Sequence, residues 1–418
     1  MKLKTVRFLT LFVIFLPFYF FRLKQKLDLP FQAGNRIKIR GLLTQQPYIS
    51  KGKQVFKIKG ILVKALAIPR FNYGDQIEVI GIVEEKQSKS FLNQYQIKNP
   101  QISLRFNIAN TRSSLLKNIF QFRQKLENII NSALPEPHAS LLAGIVLGSQ
   151  RTLNNDFYTA LKTTGTLHII VASGTNITLT AGLLLGFLSK ILKRKLAIFV
   201  SLVCILIYCV MAGMGPPIVR AGLMAGALYL SYFIGREAIG LWLLILIGTI
   251  MLMVNPLLIF DVGFQLSFAA TTGLIMMALP IEKVFNKILF IKSIAEEGGQ
   301  TLSAIIFTFP ILVITFGHFN PLSIVPNIIV LPIVECLMIM GLILNFSGLI
   351  FLPLAQLLGW LIWLPLTYMV KIIDFFGQFK VFDLQIENLS WIFGLGYYLI
   401  LFSLLVRQNR PRLGVGRS

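Results

Sequence analysis

Residues that bind metals or form disulfides are scarce in this 418-residue sequence, which has three cysteines and three histidines. Cys204, Cys209 and Cys336 all lie in apolar stretches, which argues against a disulfide framework and against a metal site with paired cysteines. The sequence also has no GxxxxGK[ST] phosphate-binding loop, so any nucleotide-driven motor must be a separate protein. We therefore expect no metal, no cofactor and no catalytic activity.

Charged residues are also few, at 14% of the chain, while 55% of the residues are hydrophobic and the mean hydropathy is +0.73. These values exclude a soluble globule of ordinary composition and indicate an α-helical polytopic membrane protein. Apolar stretches of spanning length predict about ten transmembrane helices, the first within residues 1–21. The other nine are predicted at about 168–188, 196–213, 217–234, 238–254, 262–279, 299–316, 324–348, 354–377 and 391–406.

Acidic residues are outnumbered, with 17 Asp and Glu against 40 Lys and Arg, which gives a formal net charge of +23. Residues 22–112 alone carry 17 Lys and Arg against 5 Asp and Glu. One interpretation is a basic surface beside anionic lipid headgroups, because basic residues commonly flank membranes. The other interpretation is a basic surface that binds a polyanion.

Residues 29–111 contain short stretches in which apolar and polar residues alternate, separated in part by glycine-containing turns. This pattern predicts a small all-β domain, and a closed OB-like barrel fits it better than an open sheet with exposed edges. OB barrels bind single strands through a basic groove and aromatic platforms. The candidate DNA-binding residues are Lys38, Arg40, Lys53, Lys57, Lys59, Lys64 and Arg70. The available aromatic residues, which could instead pack in the core, are Tyr48, Phe56, Phe71, Tyr73, Phe91 and Tyr95.

Residues 113–163 are predicted to form interfacial helices between this domain and the spans. Apolar residues recur at helical spacing through 113–133, with Arg123 and Glu127 away from that apolar face, which predicts an amphipathic helix in the membrane interface. Two helices too short to cross the membrane follow it. A polytopic domain at 164–407 and a basic tail at 408–418 complete the predicted organisation. The positive-inside rule places both termini in the cytoplasm and the all-β domain outside the cytoplasmic membrane.

The segment GTLHIIVASGTN, at 165–176, brings polar groups into an apolar stretch. The Ser173-Gly174 pair predicts a broken helix whose backbone opens to a cavity that His168 and Asn176 also face. His168 and Ser173 could form a hydrolase's base and nucleophile, but they share a helical face poorly and no acid nearby would orient the histidine. A third interpretation is a buried histidine satisfied by a neighbouring carbonyl.

A second polar interruption, DVGFQLSFAATTG at 261–273, suggests that several spans contribute to one pathway. Arg220 and Asp261 are predicted at the same side of the membrane, where they either pair or line one mouth. Glu335 is an isolated carboxylate in an apolar stretch, and its role is left open. The predicted pore-lining residues are His168, Ser173, Gly174, Asn176, Arg220, Asp261, Gln265 and Ser267.

These segments occur in an order that resembles the ComEC family of competence proteins. The ordered motifs are GIVLG at 144–148, TGTLHIIVASGTN at 164–176, Arg220-Ala221, Asn255-Pro256, DVGFQLSF at 261–268, Pro326-Asn327 and Pro332. The resemblance implies an inner-membrane channel through which transforming DNA enters as a single strand. It also implies an exported OB-like domain, a separate DNA receptor and a cytoplasmic helicase-type motor.

Two departures from the family pattern limit what the resemblance implies. The family usually has Ser-Gly-Leu-His where this chain has Ser173-Gly174-Thr175-Asn176, so a role for a second imidazole is in doubt. Larger members carry a C-terminal metallo-β-lactamase-like domain with no counterpart in this sequence, so strand degradation is expected of a separate nuclease.

The alternative prediction is a secondary transporter of an anionic solute or polymer, with a midplane site at the broken helices. Such transporters commonly contain an internal repeat, and no second copy of GTLHIIVASGTN or DVGFQLSF occurs here. This absence favours the channel. The sequence indicates neither the oligomeric state nor the energy source.

Overall fold

The structure is a computed structural model, and it shows a strand-rich segment followed by a helical domain. It describes residues 17, 19–20, 22–23, 34–43, 47–50, 53–58, 61–66, 68–69, 71, 75–86, 94–104, 111–149, 155–170, 174–235, 239–288, 292–379, 384–386 and 389–408. The predicted first span therefore lies mostly outside the described residues.

Among the residues that the structure describes between 36 and 104, seven strands form one curled sheet. They are β1 (Arg36–Leu42), β2 (Tyr48–Ser50), β3 (Lys53–Ile58), β4 (Ile61–Leu66), β5 (Gln76–Lys86), β6 (Gln94–Lys98) and β7 (Gln101–Leu104). The order is β1-β5-β6-β4-β3-β2, with β7 also paired to β5, and only the β4-β6 pair is parallel among the described strands. The backbone ladder of the described strands does not close, so the predicted closed barrel is not seen.

One apolar core fills the curl of this sheet. Alternate residues of β4, Ile61, Val63 and Ala65, point into it, as a half-buried strand requires. Its members also come from β1, β3, β5 and β6. A Cβ on Gly41 of β1 would lie 2.8 Å from the Ile58 side chain of β3, so these strands approach through side chains and not through ladder hydrogen bonds.

Three helices connect the sheet to the membrane-spanning part: α1 (Thr111–Ala133), α2 (His138–Leu147) and α3 (Asn155–Thr163). Every residue of α2 from Ala139 to Leu147 is buried, which places this helix in the protein interior and not at an interface. Apolar residues of α1, including Ile129 and Ile130, join the same core. A helix that is apolar on every side must be enclosed, and α2 meets that condition.

Ten further helices follow in the described part of the chain. They are α4 (Leu167–Ile170), α5 (Gly174–Ile191), α6 (Arg194–Met211), α7 (Pro216–Ile234), α8 (Gly240–Val254), α9 (Val262–Ile288), α10 (Lys292–Phe316), α11 (Ile324–Ile350), α12 (Leu352–Gly377) and α13 (Trp391–Gln408). Within the described residues, six helical stretches are long and apolar enough to cross a membrane, and they correspond to α6, α7 and α9 to α12. The apolar stretches of α5, α8 and α13 are shorter, so ten spans are not confirmed.

Glycines on α11 and α12 let these helices approach α1 and α2 closely. An added Cβ would lie 2.5 Å from the Val146 side chain at Gly341 and 2.5 Å from the Ala133 carbonyl oxygen at Gly359, and at Gly348 it would overlap the Ile129 side chain. Apolar side chains gain little by leaving lipid, so close packing through small residues is a main source of helix association in membranes. The glycines therefore hold these helices inside the bundle.

A proline in α10 fixes the position of α13. Pro310 has no N–H to donate to the Ile306 carbonyl, which a regular helix would use. The Tyr397 hydroxyl of α13 donates to that carbonyl at 3.0 Å, and Tyr398 donates to the Phe307 carbonyl at 2.7 Å. Both tyrosine hydroxyls thus bond backbone carbonyls of α10, one of which the proline leaves without its helical donor.

A short strand pair joins the ends of α10 and α12. The strands are β8 (His318–Phe319) and β9 (Leu384–Gln385), which pair antiparallel. At the end of α8, Tyr19 donates to the Pro256 carbonyl at 3.1 Å and Arg22 donates to the Met253 carbonyl at 2.8 Å. These contacts tie the N-terminal segment to the α8–α9 connection.

Candidate functional site

The predicted break lies between two described helices, and residues 171–173, which would form it, are outside the described part of the chain. Helix α4 ends at Ile170 and α5 begins at Gly174, while Ser173 lies outside the described residues. The His168 Nδ1 lies 2.9 Å from the Gly165 carbonyl oxygen, which holds the ring against its own turn. His168 is exposed on this turn.

The turn before α4 packs on the connection between α10 and α11. Asn320 donates through Nδ2 to the Thr163 carbonyl at 2.9 Å. Gly165, with a φ of +68°, lies so close to Ser323 that an added Cβ would be 2.9 Å from the Ser323 Cβ. Asn327 donates to the Ser323 carbonyl at 2.9 Å, which completes a buried polar connection. The Pro326-Asn327 pair was recognised in the sequence, but nothing in the sequence indicated that it lies close to the turn that precedes His168.

Asn176 has a structural contact that the pore-lining prediction did not include. Its Nδ2 donates to the Ile145 carbonyl of α2 at 2.9 Å, and the residue is 1% exposed. Tyr208 of α6 donates to the next carbonyl, that of Val146, at 3.1 Å. Both bonds satisfy carbonyls near the end of α2, so Asn176 connects α5 to this enclosed helix and does not present its amide to an open space.

Arg220 lies where α5, α7 and α9 meet. Its Nε donates to the Ser267 Oγ of α9 at 2.8 Å, and its Nη1 lies 3.3 Å from the Met224 Sδ. An added Cβ on Gly174 would lie 2.6 Å from Nη2, so a larger residue at the start of α5 would force the guanidinium to move. The structure thus brings together Gly174, Arg220 and Ser267, three of the residues predicted from sequence.

Asp261 and Gln265 shape the start of α9. The Asp261 Oδ1 accepts from the Phe264 N–H at 2.9 Å, which is the bond that an N-cap residue makes. The Gln265 Nε2 donates to the Ile259 carbonyl in the preceding 3-10 turn at 2.7 Å. An added Cβ on Gly263 would lie 3.8 Å from Pro217, so the first turns of α7 and α9 touch. In the described structure Asp261 thus bonds the Phe264 N–H while Arg220 bonds Ser267, and the two are not an ion pair.

The structure also places Glu335, whose role the sequence left open, and the pair Arg123 and Glu127, which the sequence predicted on a polar face. Glu335 is exposed on α11 and lies near enough to Glu297 of α10 to interact electrostatically with it. Arg123 and Glu127, assigned to a polar face of α1, are 5% and 1% exposed and form an ion pair at 3.1 Å. Arg123 also donates to the Met211 carbonyl at the end of α6. The buried pair of Arg123 and Glu127 therefore contributes to the packing of α1 against α6.

The basic residues of the sheet are partly neutralised. Glu78, 4% exposed, pairs with Lys38 and, at 3.3 Å, with Arg40, which lies directly opposite it in the ladder. Lys53 donates to the Asn99 Oδ1 at 3.0 Å. Lys64 is half-buried. The side chain of Lys57 and all of Lys59 and Arg70 lie outside the described residues.

The aromatic residues described in this region are part of its core. Phe56 and Phe71 are 3% and 5% exposed and meet edge to face, with ring centroids 6.0 Å apart. They therefore cannot offer a face to a base. The side chains of Tyr48, Tyr73, Phe91 and Tyr95 are outside the described set. Among the described residues, no three His, Cys, Asp or Glu side chains lie close enough to share a metal ion.

Comparison with known proteins gives one family and two relatives. A model described as Competence protein matches residues 145–411. ComE operon protein 3 of Bacillus subtilis (strain 168) is 23% identical over 299 residues, which are 69% of this chain and 37% of that protein. An uncharacterized protein of Aquifex aeolicus (strain VF5) is 26% identical over 341 residues, 79% of this chain and 72% of that protein. The chain thus spans just over a third of the first relative's length, and no solved structure matches it.

Proposed function

Because this chain belongs to the Competence protein family, we propose that it forms a passage for single-stranded DNA through the cytoplasmic membrane during natural transformation. The observation that carries the proposal is the junction of α5, α7 and α9, where Arg220 is buried beside Gly174. The exposed His168 on α4 supports a polar lining along the route.

The physical basis is electrostatic. A single strand carries one negative charge per nucleotide and cannot enter hydrocarbon without a hydrated or cationic route. Ionisable residues inside a membrane protein are costly, so they are kept where they line a pathway or pair with another group. In this proposal His168, Ser173, Gly174, Arg220, Gln265 and Ser267 lie along the route, and none of them acts as a catalyst.

The strand-rich segment is proposed to lie outside the cell membrane, to have an OB-like fold and to guide the strand to the helical domain. Its net charge supports this role, since residues 29–111 carry 13 Lys and Arg against 4 Asp and Glu. Lys53 and Lys64 have no carboxylate partner among the described residues. Both termini are proposed to be cytoplasmic. The proposed partners are a DNA receptor, a helicase-type motor and a nuclease that degrades the second strand.

Deletion of the gene tests this proposal directly. Cells receive labelled duplex DNA, and the label that enters the cytoplasm as single strand is measured. We expect it to be lost in the deletion strain and restored by the wild-type chain. Gly174→Leu should fail to restore it, because the added side chain collides with the Arg220 guanidinium.

Gly182→Leu is the matched control, since a Cβ at Gly182 on the same helix meets nothing within 4 Å. It should restore uptake, and both variants should be inserted in the membrane at equal levels. Undiminished uptake in the deletion strain would contradict the proposed function. It would favour a transporter of a smaller anion, the alternative that the broken helix also fits.

A further inference from the structure

The first turns of α10 carry a carboxylate that no described basic residue neutralises. Glu297 is half-buried, and it forms no ion pair with any residue that the structure describes. Lys292, in the first turn of the same helix, pairs instead with Glu296 at 3.5 Å. A charged side chain is costly within a membrane-spanning helix unless another group offsets its charge. Glu297 therefore needs a cation from outside the described side chains.

A second unpaired carboxylate lies close to Glu297. Glu335 of α11 is exposed, interacts electrostatically with Glu297 and forms no ion pair within the described part of the chain. The packing of the two helices agrees with this proximity, because a Cβ added to Gly298 would lie 3.6 Å from the Ile328 side chain of α11. Ile328 and Glu335 are two helical turns apart and so share one face of α11. The face that carries Glu335 is thus the face that meets α10 beside Glu297.

Thr301 adds an oxygen that lacks a partner. It lies one turn after Glu297 on the same side of α10, is 7% exposed, and its hydroxyl has no hydrogen-bond partner among the described residues. Ser303 and Thr308, also buried on α10, each donate to the carbonyl oxygen four residues earlier, at 2.6 and 2.8 Å. Thr301 does not make this bond, although a regular helix offers it. A buried hydroxyl left in this way indicates a partner that is not a protein group.

A proline in α11 frees a backbone oxygen in the same region. Pro332 has no N–H, so the Ile328 carbonyl lacks the donor that a regular helix would supply. The corresponding carbonyl in α10 receives the Tyr397 hydroxyl, whereas no described side chain donates to the Ile328 carbonyl. Ile328 is also the residue that packs against Gly298. The region where α10 meets α11 therefore combines carboxylate, hydroxyl and carbonyl oxygens with no described cation.

From these unpaired oxygens we infer that α10 and α11 form a binding site for a sodium ion. Its ligands are Glu297 and Thr301 from α10, and Glu335 and the Ile328 carbonyl from α11. Hard cations take oxygen ligands in proteins, and carbonyls freed from a broken helix coordinate Na+ in secondary transporters. The site uses neither Gly174 nor Arg220, so it does not depend on the proposed passage.

The set of oxygens favours Na+ over a divalent ion. Ca2+ takes about six to eight oxygen ligands, and Mg2+ gives up its water reluctantly. Here the described residues supply few oxygens, in an apolar and closely packed part of two helices. Two carboxylates can also share a proton, but a proton does not need the Thr301 hydroxyl. Removal of this hydroxyl therefore distinguishes the two ligands.

Sodium binding is measured on the full-length protein, purified in micelles in choline chloride. Radioactive Na+ is added, and the bound ion is counted after filtration. We expect saturable binding that excess NaCl displaces, whereas the same concentration of choline chloride or MgCl2 does not. Thr301→Val keeps nearly the same shape without the hydroxyl and should weaken the affinity for Na+ roughly 5- to 30-fold. Thr308→Val is the matched control and should bind Na+ like the wild type, since the Thr308 hydroxyl already bonds a carbonyl of its own helix.

A second measurement needs no variant. Dicyclohexylcarbodiimide, an apolar reagent for carboxyl groups, is applied with and without Na+, and the modified glutamates are identified by mass spectrometry. We expect Na+ to slow the modification of Glu297, while Glu296, which is paired with Lys292, reacts equally in both salts. Modification of Glu297 that Na+ does not alter would indicate a proton site and overturn the inference. Na+ binding that Thr301→Val leaves unchanged, or no saturable binding, would overturn it too, whether or not the deletion strain loses DNA uptake.

Discussion

The close contact between α12 and α1 predicts how much stability the protein loses when Gly359 is replaced by alanine. In Gly359→Ala the new methyl group would lie 2.5 Å from the Ala133 carbonyl oxygen and 3.2 Å from its carbon. These are backbone atoms that no side-chain rotation can move, so the two helices must separate. Overpacking of this kind costs about 1–3 kcal/mol. We expect the free energy of unfolding to fall by that amount.

Gly186→Ala on α5 is the matched control, because a Cβ there meets nothing within 4 Å. Alanine is the better helix former by about 1 kcal/mol in soluble hosts, so the control should be neutral or slightly stabilised. The assay is denaturant titration of the purified protein in micelles, followed by circular dichroism and a second probe to test for two-state behaviour. Equal stability of the two variants would refute the close approach of α12 and α1.

Three further predictions concern single contacts. Tyr397→Phe leaves the Ile306 carbonyl without its donor and should lower the free energy of unfolding by about 0.6–2 kcal/mol in the same titration, whereas Tyr232→Phe, at an exposed tyrosine, should change it little. Asn176→Ala should be destabilising by about 1–3 kcal/mol because the Ile145 carbonyl is buried, and a variant that stays stable but loses uptake would instead indicate a lining role. Glu78→Gln removes the carboxylate that neutralises basic strand residues, so single-strand affinity of the full-length protein should rise roughly 2- to 5-fold at low salt. Unchanged affinity across salt concentrations would count against DNA binding at that strand.

Features that depend on local composition could be predicted from the sequence. The apolar stretches around α6 to α12 predict helices because their composition favours the membrane wherever they pack. The Ser173-Gly174 pair predicts a helix break, since polar and small residues stand out in an apolar stretch, and Ser173 lies outside the described residues. Arg220 stood out for the same reason, because a charge in an apolar stretch is costly to bury in the membrane. Its hydrogen bond to the Ser267 hydroxyl on α9 was not predicted.

Contacts between residues that are distant in sequence could not be predicted from local composition. Arg123 and Glu127 are four residues apart in a helix with ordinary amphipathic character, which is the pattern of a solvated face. They are buried only because the end of α6 lies over them. Phe56 belongs to a strand that could present its ring outward, and Phe71 lies between β4 and β5. Burial of both rings in the core is decided by how the sheet curls. Asn176 bonds a carbonyl 31 residues away in sequence.

The most direct test of the proposed passage asks whether the strand passes next to His168. Cys204, Cys209 and Cys336 are replaced by alanine, and His168→Cys is introduced into this thiol-free chain. A small charged thiol reagent is applied to cells, and labelled single strand in the cytoplasm is measured before and after. We predict that uptake falls to background after reaction at position 168 and stays unchanged for Leu230→Cys, which is on the exposed side of α7. Undiminished uptake by protein whose introduced thiol at position 168 is fully modified, as verified by mass spectrometry, would contradict the proposed route.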